Sequence, residues 1–113
     1  MQAHPDLSGW VLIGGWPLFT PPPGPMAAKK PGDVKVIAFD ALPEELEYVR
    51  QGYVQVLIGQ KLFGWGYESV KMLHGIVKEK KTYPPVIDSG VDIVTKENAN
   101  AYAKNWEIWK ARK

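Results

Sequence analysis

The sequence predicts an α/β fold built on a mainly parallel sheet. Three observations carry this. Short apolar or β-branched runs at residues 10–13, 34–39 and 54–58 alternate with helix-forming stretches rather than with hairpin turns. The first run, Trp10-Val11-Leu12-Ile13, is continuously apolar, as in a strand buried on both faces of a parallel sheet. The chain has 113 residues, 45% of them hydrophobic, which suffices for one domain with a core of its own.

The elements follow in order. After the first strand and Gly14-Gly15, the segment Pro21-Pro22-Pro23-Gly24-Pro25 admits neither helix nor central strand and is a loop. Residues 26–30 allow one or two helical turns, ended by Pro31-Gly32-Asp33. Residues 34–39 form the clearest strand and lead into Asp40. Pro43 then suits the first position of a helix, Glu44 and Glu45 its positive first turn, Leu46 and Val49 its apolar face, and Gly52 its C-terminal cap. Residues 54–58 are the third strand, ended by Gly59-Gln60. The longest helix spans roughly residues 63–80, with a broad apolar stripe of Phe63, Tyr67, Val70, Leu73 and Val77, and Pro84-Pro85 stops it. Residues 86–94 hold one or two extended segments. Thr95 can cap a last helix carrying Tyr102, Trp106 and Trp109.

Composition removes several functional classes. With no cysteine there is no disulfide, thiolate zinc site or cysteine nucleophile. A net charge of +2 with scattered lysines gives no footprint for nucleic acid, and Lys110, Arg112 and Lys113 read as a solvated helix end. No run approaches the length of a membrane span. The chain lacks a signal peptide at its start and opens on the polar turn Gln2-Ala3-His4-Pro5-Asp6-Leu7, as a segment from the middle of a longer protein would.

Ligands of open parallel sheets bind beyond the carboxyl ends of the strands. Those ends carry Gly14-Gly15-Trp16, Asp40 and Gln60. A carboxylate and a carboxamide can each bridge two vicinal hydroxyls, and an indole can cover the C–H face of a sugar. Asp40 is therefore the expected chief contact of a small polar ligand, with Gln60 and Trp16 beside it. The plainer alternatives are that Asp40 caps the helix near Pro43, that Gln60 is a solvated loop residue, and that Trp16 belongs to the core or covers the proline loop. No phosphate loop is present, no metal-ligand spacing occurs, and no cofactor is implied. Catalysis has little support: His4 and His74 read as surface or structural, Ser8, Ser69 and Ser89 stand in no nucleophile context, and Glu44, Glu45 and Glu47 read as a solvated helix face.

The stretches Val36-Ile37-Ala38-Phe39-Asp40-Ala41-Leu42-Pro43-Glu44-Glu45, Gly52-Tyr53-Val54-Gln55-Val56-Leu57-Ile58-Gly59-Gln60, Gly66-Tyr67-Glu68-Ser69-Val70 and Val86-Ile87-Asp88-Ser89-Gly90-Val91 resemble the periplasmic sugar-binding proteins of bacterial ABC importers. The ribose, glucose and xylose group is the nearest in pattern, and its fold is shared with LacI-type repressors. Nearly the whole chain is covered. The resemblance implies a partial three-layer sandwich, an incomplete lobe of the type I periplasmic-binding fold. It places Asp40 on the family's sugar-hydroxyl aspartate and Gln60 on its hinge-proximal glutamine. Where many members carry Asn-Asp after the first strand, this chain has Gly14-Gly15-Trp16, so Trp16 is the expected substitute, by stacking.

Members of that family are much longer, with two lobes closing over a sugar. The resemblance thus reads residues 1–59 as part of the second lobe, 60–90 as the hinge and a helix that packs on the first lobe, and 91–113 as the return strand and C-terminal helix. It implies a monosaccharide ligand, an ABC permease partner, an extracytoplasmic location, and either a missing first lobe or self-association through the 63–77 stripe. It also implies weak or no sugar binding by this part alone. The alternatives are the effector lobe of a LacI-type regulator and, less supported, a small α/β enzyme using Asp40.

Overall fold

The strand–helix alternation is realised in the order β1 (Gly9–Leu12), two 3-10 turns (Trp16–Leu18 and Gly24–Met26), β2 (Lys35–Phe39), α1 (Pro43–Arg50), β3 (Val56–Gln60), α2 (Leu62–Glu79), β4 (Val91–Val94) and α3 (Ala99–Ala111). The structure is a computed structural model and describes residues 4–111. Gln2 and Ala3 of the opening turn, and Arg112 and Lys113 of the basic end, lie outside the described residues.

The strands form one open sheet in sequence order, with β1 parallel to β2 and β2 parallel to β3. Val11 stands opposite Ile37, and Phe39 opposite Ile58. Two compact units result: Met1–Gln60 with Asp92–Lys113, and Lys61–Val91.

In the larger unit the core lies on one face of the sheet. Leu12, Val36, Ala38, Leu57 and Val94 meet Leu46, Tyr48 and Val49 of α1 and Ala99 and Tyr102 of α3. Leu18 and Met26 close the core from the proline loop, and Tyr48 donates its hydroxyl hydrogen to the Thr20 carbonyl oxygen at 2.7 Å. The period of two sends the alternate side chains the other way. There Val11 is 59% and Ile13 78% exposed, and Ile37 and Ile93 are exposed as well. The first apolar run is therefore buried on one face only, contrary to the sequence expectation. An apolar strand says that both faces are suited to burial; it does not say that both partners are within the chain. The expected partial sandwich is thus, in this unit, a sheet with a single helical layer.

Local departures have local causes. The helical turn expected at 26–30 is a 3-10 turn starting at Gly24, closed by Met26 N–H to Pro23 O (2.7 Å) and Ala27 N–H to Gly24 O (3.2 Å). β3 begins two residues later than expected because Gln55 holds its own turn: its Oε1 accepts the Val36 N–H at 2.6 Å and its Nε2 donates to Gly52 O at 3.0 Å. Gln60 is the last residue of the strand. α3 starts at Ala99 rather than next to Thr95; Asn98 precedes it and bonds the Thr95 N–H through Oδ1 (2.8 Å). α1 ends as expected, with Gly52 at φ +82° just past it.

In the smaller unit, α2 exposes Phe63, Tyr67, Val70, Leu73 and Val77. Its Trp65 Nε1 donates to Ser89 Oγ at 2.8 Å, tying the following segment back to the helix. No helix of the described residues is long and apolar enough to cross a membrane.

Candidate functional site

β2 and β3 run parallel and end side by side, so the residues that close them stand next to each other. Gln60 Nε2 donates to Asp40 Oδ1 at 2.7 Å. The Gly15 N–H, in the loop that leaves β1, donates to Asp40 Oδ2 at 3.0 Å. The ends of three successive strands thus converge on one carboxylate. Asp40 does not cap α1: that helix has Leu42 in extended conformation at its N-cap, and the Asp40 oxygens are turned to Gly15 and Gln60.

The backbone of Asp40 is left-handed, with φ +71°. A side chain other than glycine's costs about 1–2 kcal/mol there, least for Asn and Asp, and such strain concentrates at functional sites. It persists here because both carboxylate oxygens are held and because the Asp40 N–H reaches the Ile58 carbonyl oxygen at 3.0 Å, extending the sheet by one bond. Each carboxylate oxygen has about two acceptor positions. One on each is filled from within the chain, which leaves one on each for a ligand donor.

Trp16 follows Gly15 and is 68% exposed. Its indole lies over Gly14, whose φ of +129° and missing side chain make the room: a Cβ there would overlap the ring. The structure brings Asp40 and Gln60 together by a direct hydrogen bond. Trp16 it leaves as an exposed aromatic plate on the neighbouring loop, outside that hydrogen-bonded set.

One residue of the site was misread in the sequence. Glu45, expected on a solvated helix face with Glu44 and Glu47, is 0% exposed. As the third residue of α1 it turns back, and its Oε2 accepts the Leu42 N–H at 2.7 Å, half of a capping box. Its Oε1 has no hydrogen-bond partner. Burial pushes the Glu45 carboxyl up to about 7; the Leu42 N–H opposes this, while the charges of Asp40 and Glu44 add to it. The signal that could have found it is Pro43 at the first helical position with a glutamate two residues on, the spacing at which a carboxylate reaches the N-cap amide. Glu44, by contrast, is exposed, and Glu47 is partly so, bonded to Gln51 and Arg50.

A separate groove lies elsewhere. It measures about 660 Å3 and lies within the smaller unit, lined by Trp65, Met72, Tyr83 and Ile87 with Glu68 and Asp88. This groove and the strand-end convergence of polar groups thus belong to different units. The strand-end cluster is the better candidate for a polar ligand, because it combines a strained backbone with a carboxylate held by two elements.

No family model matches the sequence, nor does any curated protein. Solved structures do match. An ABC transporter solute-binding protein from Burkholderia graminis, solved in complex with D-arabinose, is 33% identical with a TM-score of 0.69, over 89% of this chain and 36% of that one. GanP, a glucose-galactose binding protein from Geobacillus stearothermophilus, is 24% identical with a TM-score of 0.74, over 86% of this chain and 34% of that one. A protein assigned as a LacI transcriptional regulator from Bacteroides fragilis is 24% identical with a TM-score of 0.70, over 89% and 34%. The chain spans about a third of the length of these structures. Its fold is part of a type I periplasmic-binding lobe, the architecture that sugar-binding proteins of ABC transporters share with LacI-type regulators, as the sequence resemblance implied.

Proposed function

We propose that this chain is part of a monosaccharide-binding protein serving an ABC importer, and that Asp40 and Gln60 grip the sugar hydroxyls. One observation carries the reading. Asp40 is held in a strained backbone by Gly15 and Gln60 at the converging strand ends of a fold shared with sugar binders.

The chemistry suits a neutral polyol. The free acceptor positions of Asp40 can take hydrogens from two vicinal hydroxyls, each such charge-assisted bond contributing about 1.5–3 kcal/mol. The amide of Gln60 has one hydrogen bonded to Asp40; its other hydrogen and its oxygen can serve a third hydroxyl. Trp16 supplies an exposed indole for the apolar face of the ring. In the proposed whole, residues 60–90 lead to a first lobe that covers α2 and completes the clamp, the sugar is buried on closure, and an extracytoplasmic location and an ABC permease partner follow from the same role. Half a clamp binds weakly. Calorimetry with a panel of pentoses and hexoses is expected to give no binding tighter than millimolar for these 113 residues, and measurable binding once a complementary first lobe is supplied, lost again in Asp40→Ala. Micromolar binding by the isolated chain contradicts the half-clamp, and binding indifferent to Asp40→Ala contradicts the site.

A second reading, the effector lobe of a LacI-type regulator, is favoured by the similarity to the Bacteroides fragilis protein. The same residues would hold the effector, and the two readings part on whether the longer protein carries a DNA-binding domain or an export signal.

A further inference from the structure

Glu45 is a fully buried carboxyl for which sugar binding has no evident use, yet it lies directly beneath the ligand loop. Gly15 has φ −81° and ψ −15°, an ordinary helical conformation, so its lack of a side chain is not needed for the backbone. It is needed for space. A Cβ at Gly15 would overlap Glu45 Oε1 and approach the Asp40 Cβ to 3.3 Å. The Glu45 carboxyl therefore occupies the volume that a side chain at position 15 would fill. The same glycine donates the N–H that holds Asp40.

We propose that Glu45 is a positioning residue for Asp40: its buried carboxyl props the Gly14-Gly15 loop so that the Gly15 N–H meets Asp40 Oδ2, and the gain or loss of its proton sets how firmly that contact is made. As a neutral acid, Glu45 leaves one uncharged oxygen without a partner. As a carboxylate, it leaves a buried charge unpartnered on one oxygen and sets a second negative charge beside Asp40. The titratable groups around it are Asp40 from the end of β2, Glu44 on its own helix and Tyr102 from α3, whose hydroxyl is pushed up by burial, then by Asp92 and by Glu45. None of them can offer a compensating positive charge. The outlet is movement of the carboxyl toward Gly15, which lifts the loop and weakens the hold on Asp40. Raising pH through neutrality thus loosens the ligand carboxylate in its seat.

The consequence for a ligand rests on the reading of Asp40 as its contact, so the test uses the ligand-free chain. The Gly15 amide resonance is followed by NMR from pH 5 to 9, in the natural chain and in Glu45→Gln. The glutamine keeps the acceptor for the Leu42 N–H but cannot ionise. The expected result is a Gly15 titration with a midpoint near 7 that disappears in the variant. A Gly15 resonance that does not titrate in the natural chain, or that titrates equally in Glu45→Gln, overturns the proposal. Should the variant not fold, the Glu45 side-chain carboxyl carbon of the natural chain decides. A midpoint near 7 coincident with that of Gly15 supports the coupling, and a midpoint in the ordinary carboxylate range overturns it. Failure of sugar binding leaves these outcomes untouched.

Discussion

Gly15→Ala isolates the packing of Glu45 against the Gly14-Gly15 loop. Alanine adopts φ −81°, ψ −15° freely, so no backbone penalty enters, and the loss of glycine's freedom in the unfolded chain favours the folded state by about 0.4–1 kcal/mol. Against this, the new methyl overlaps Glu45 Oε1 and comes within 2.7 Å of Glu45 Cδ. A carboxyl at the end of a flexible side chain would normally swing aside. This one is 0% exposed and bonded to the Leu42 N–H, so moving it breaks that bond and forces its neighbours apart. Overpacking costs about 1–3 kcal/mol and the lost hydrogen bond about 0.5–1.5 kcal/mol. The net expectation is destabilisation by roughly 1–3 kcal/mol. Glu45→Ala empties the space, so in the double variant the methyl introduced at position 15 no longer collides, and the two effects are coupled by at least about 1 kcal/mol. Urea denaturation followed by tryptophan fluorescence measures all four corners of the cycle, since Trp10, Trp106 and Trp109 pack on the core. A neutral Gly15→Ala, or penalties that simply add, would refute the reasoning.

Three further outcomes are expected. The Glu45 carboxyl is raised from 4.5 to about 7 on folding, so the folded chain holds the proton more tightly; its contribution is complete below pH 4.5 and is lost as pH rises through 7, by roughly 3 kcal/mol, and urea midpoints measured across that range should fall accordingly unless the residue is Gln. Trp106→Phe removes the Nε1–H that reaches the Ala41 carbonyl oxygen at 2.8 Å and should destabilise by about 1–2 kcal/mol in the same assay, whereas a neutral substitution would mean that water replaces the bond. The exposed stripe of α2 and the bare sheet face, where Val70 is 70% and Ile13 78% exposed, should make the chain associate with increasing concentration; light scattering that reports a monomer at high concentration contradicts this.

Much of the fold was legible because periodicity is local. The β-branched run into Asp40, the Pro43-initiated helix and the three-and-four spacing of α2 each reflect neighbours in sequence. What was not legible depends on distant partners. Residues 10–13 are apolar on both sides, yet only the face toward α1 and α3 is covered. The start of β3 was displaced by Gln55, whose side chain takes the Val36 N–H that a further strand residue would otherwise meet. That Asp40 and Gln60 stand side by side was readable from their places at strand ends, and their mutual hydrogen bond follows from parallel pairing. Glu45 could not be found in that way, because a glutamate in the first turn of a helix ordinarily faces water, and its burial is decided by a glycine thirty positions earlier.

The left-handed backbone at Asp40 bounds what evolution or design can do with this site. At φ +71° the chain tolerates Asp, Asn and Gly, and resists branched or bulky side chains. The alphabet at the centre of the cluster is therefore nearly restricted to a carboxylate, an amide or nothing. On the proposed sugar-binding reading, a change of ligand preference is written around Asp40, at Trp16 and at Gln60, whose 3-10 and strand backbones accept a wider choice of side chain, whereas Gly14 at φ +129° and the filled space beside Gly15 hold those two positions to glycine. On that reading the fixed letter keeps the hydroxyl-gripping chemistry, and the surrounding ones select among the molecules that present it.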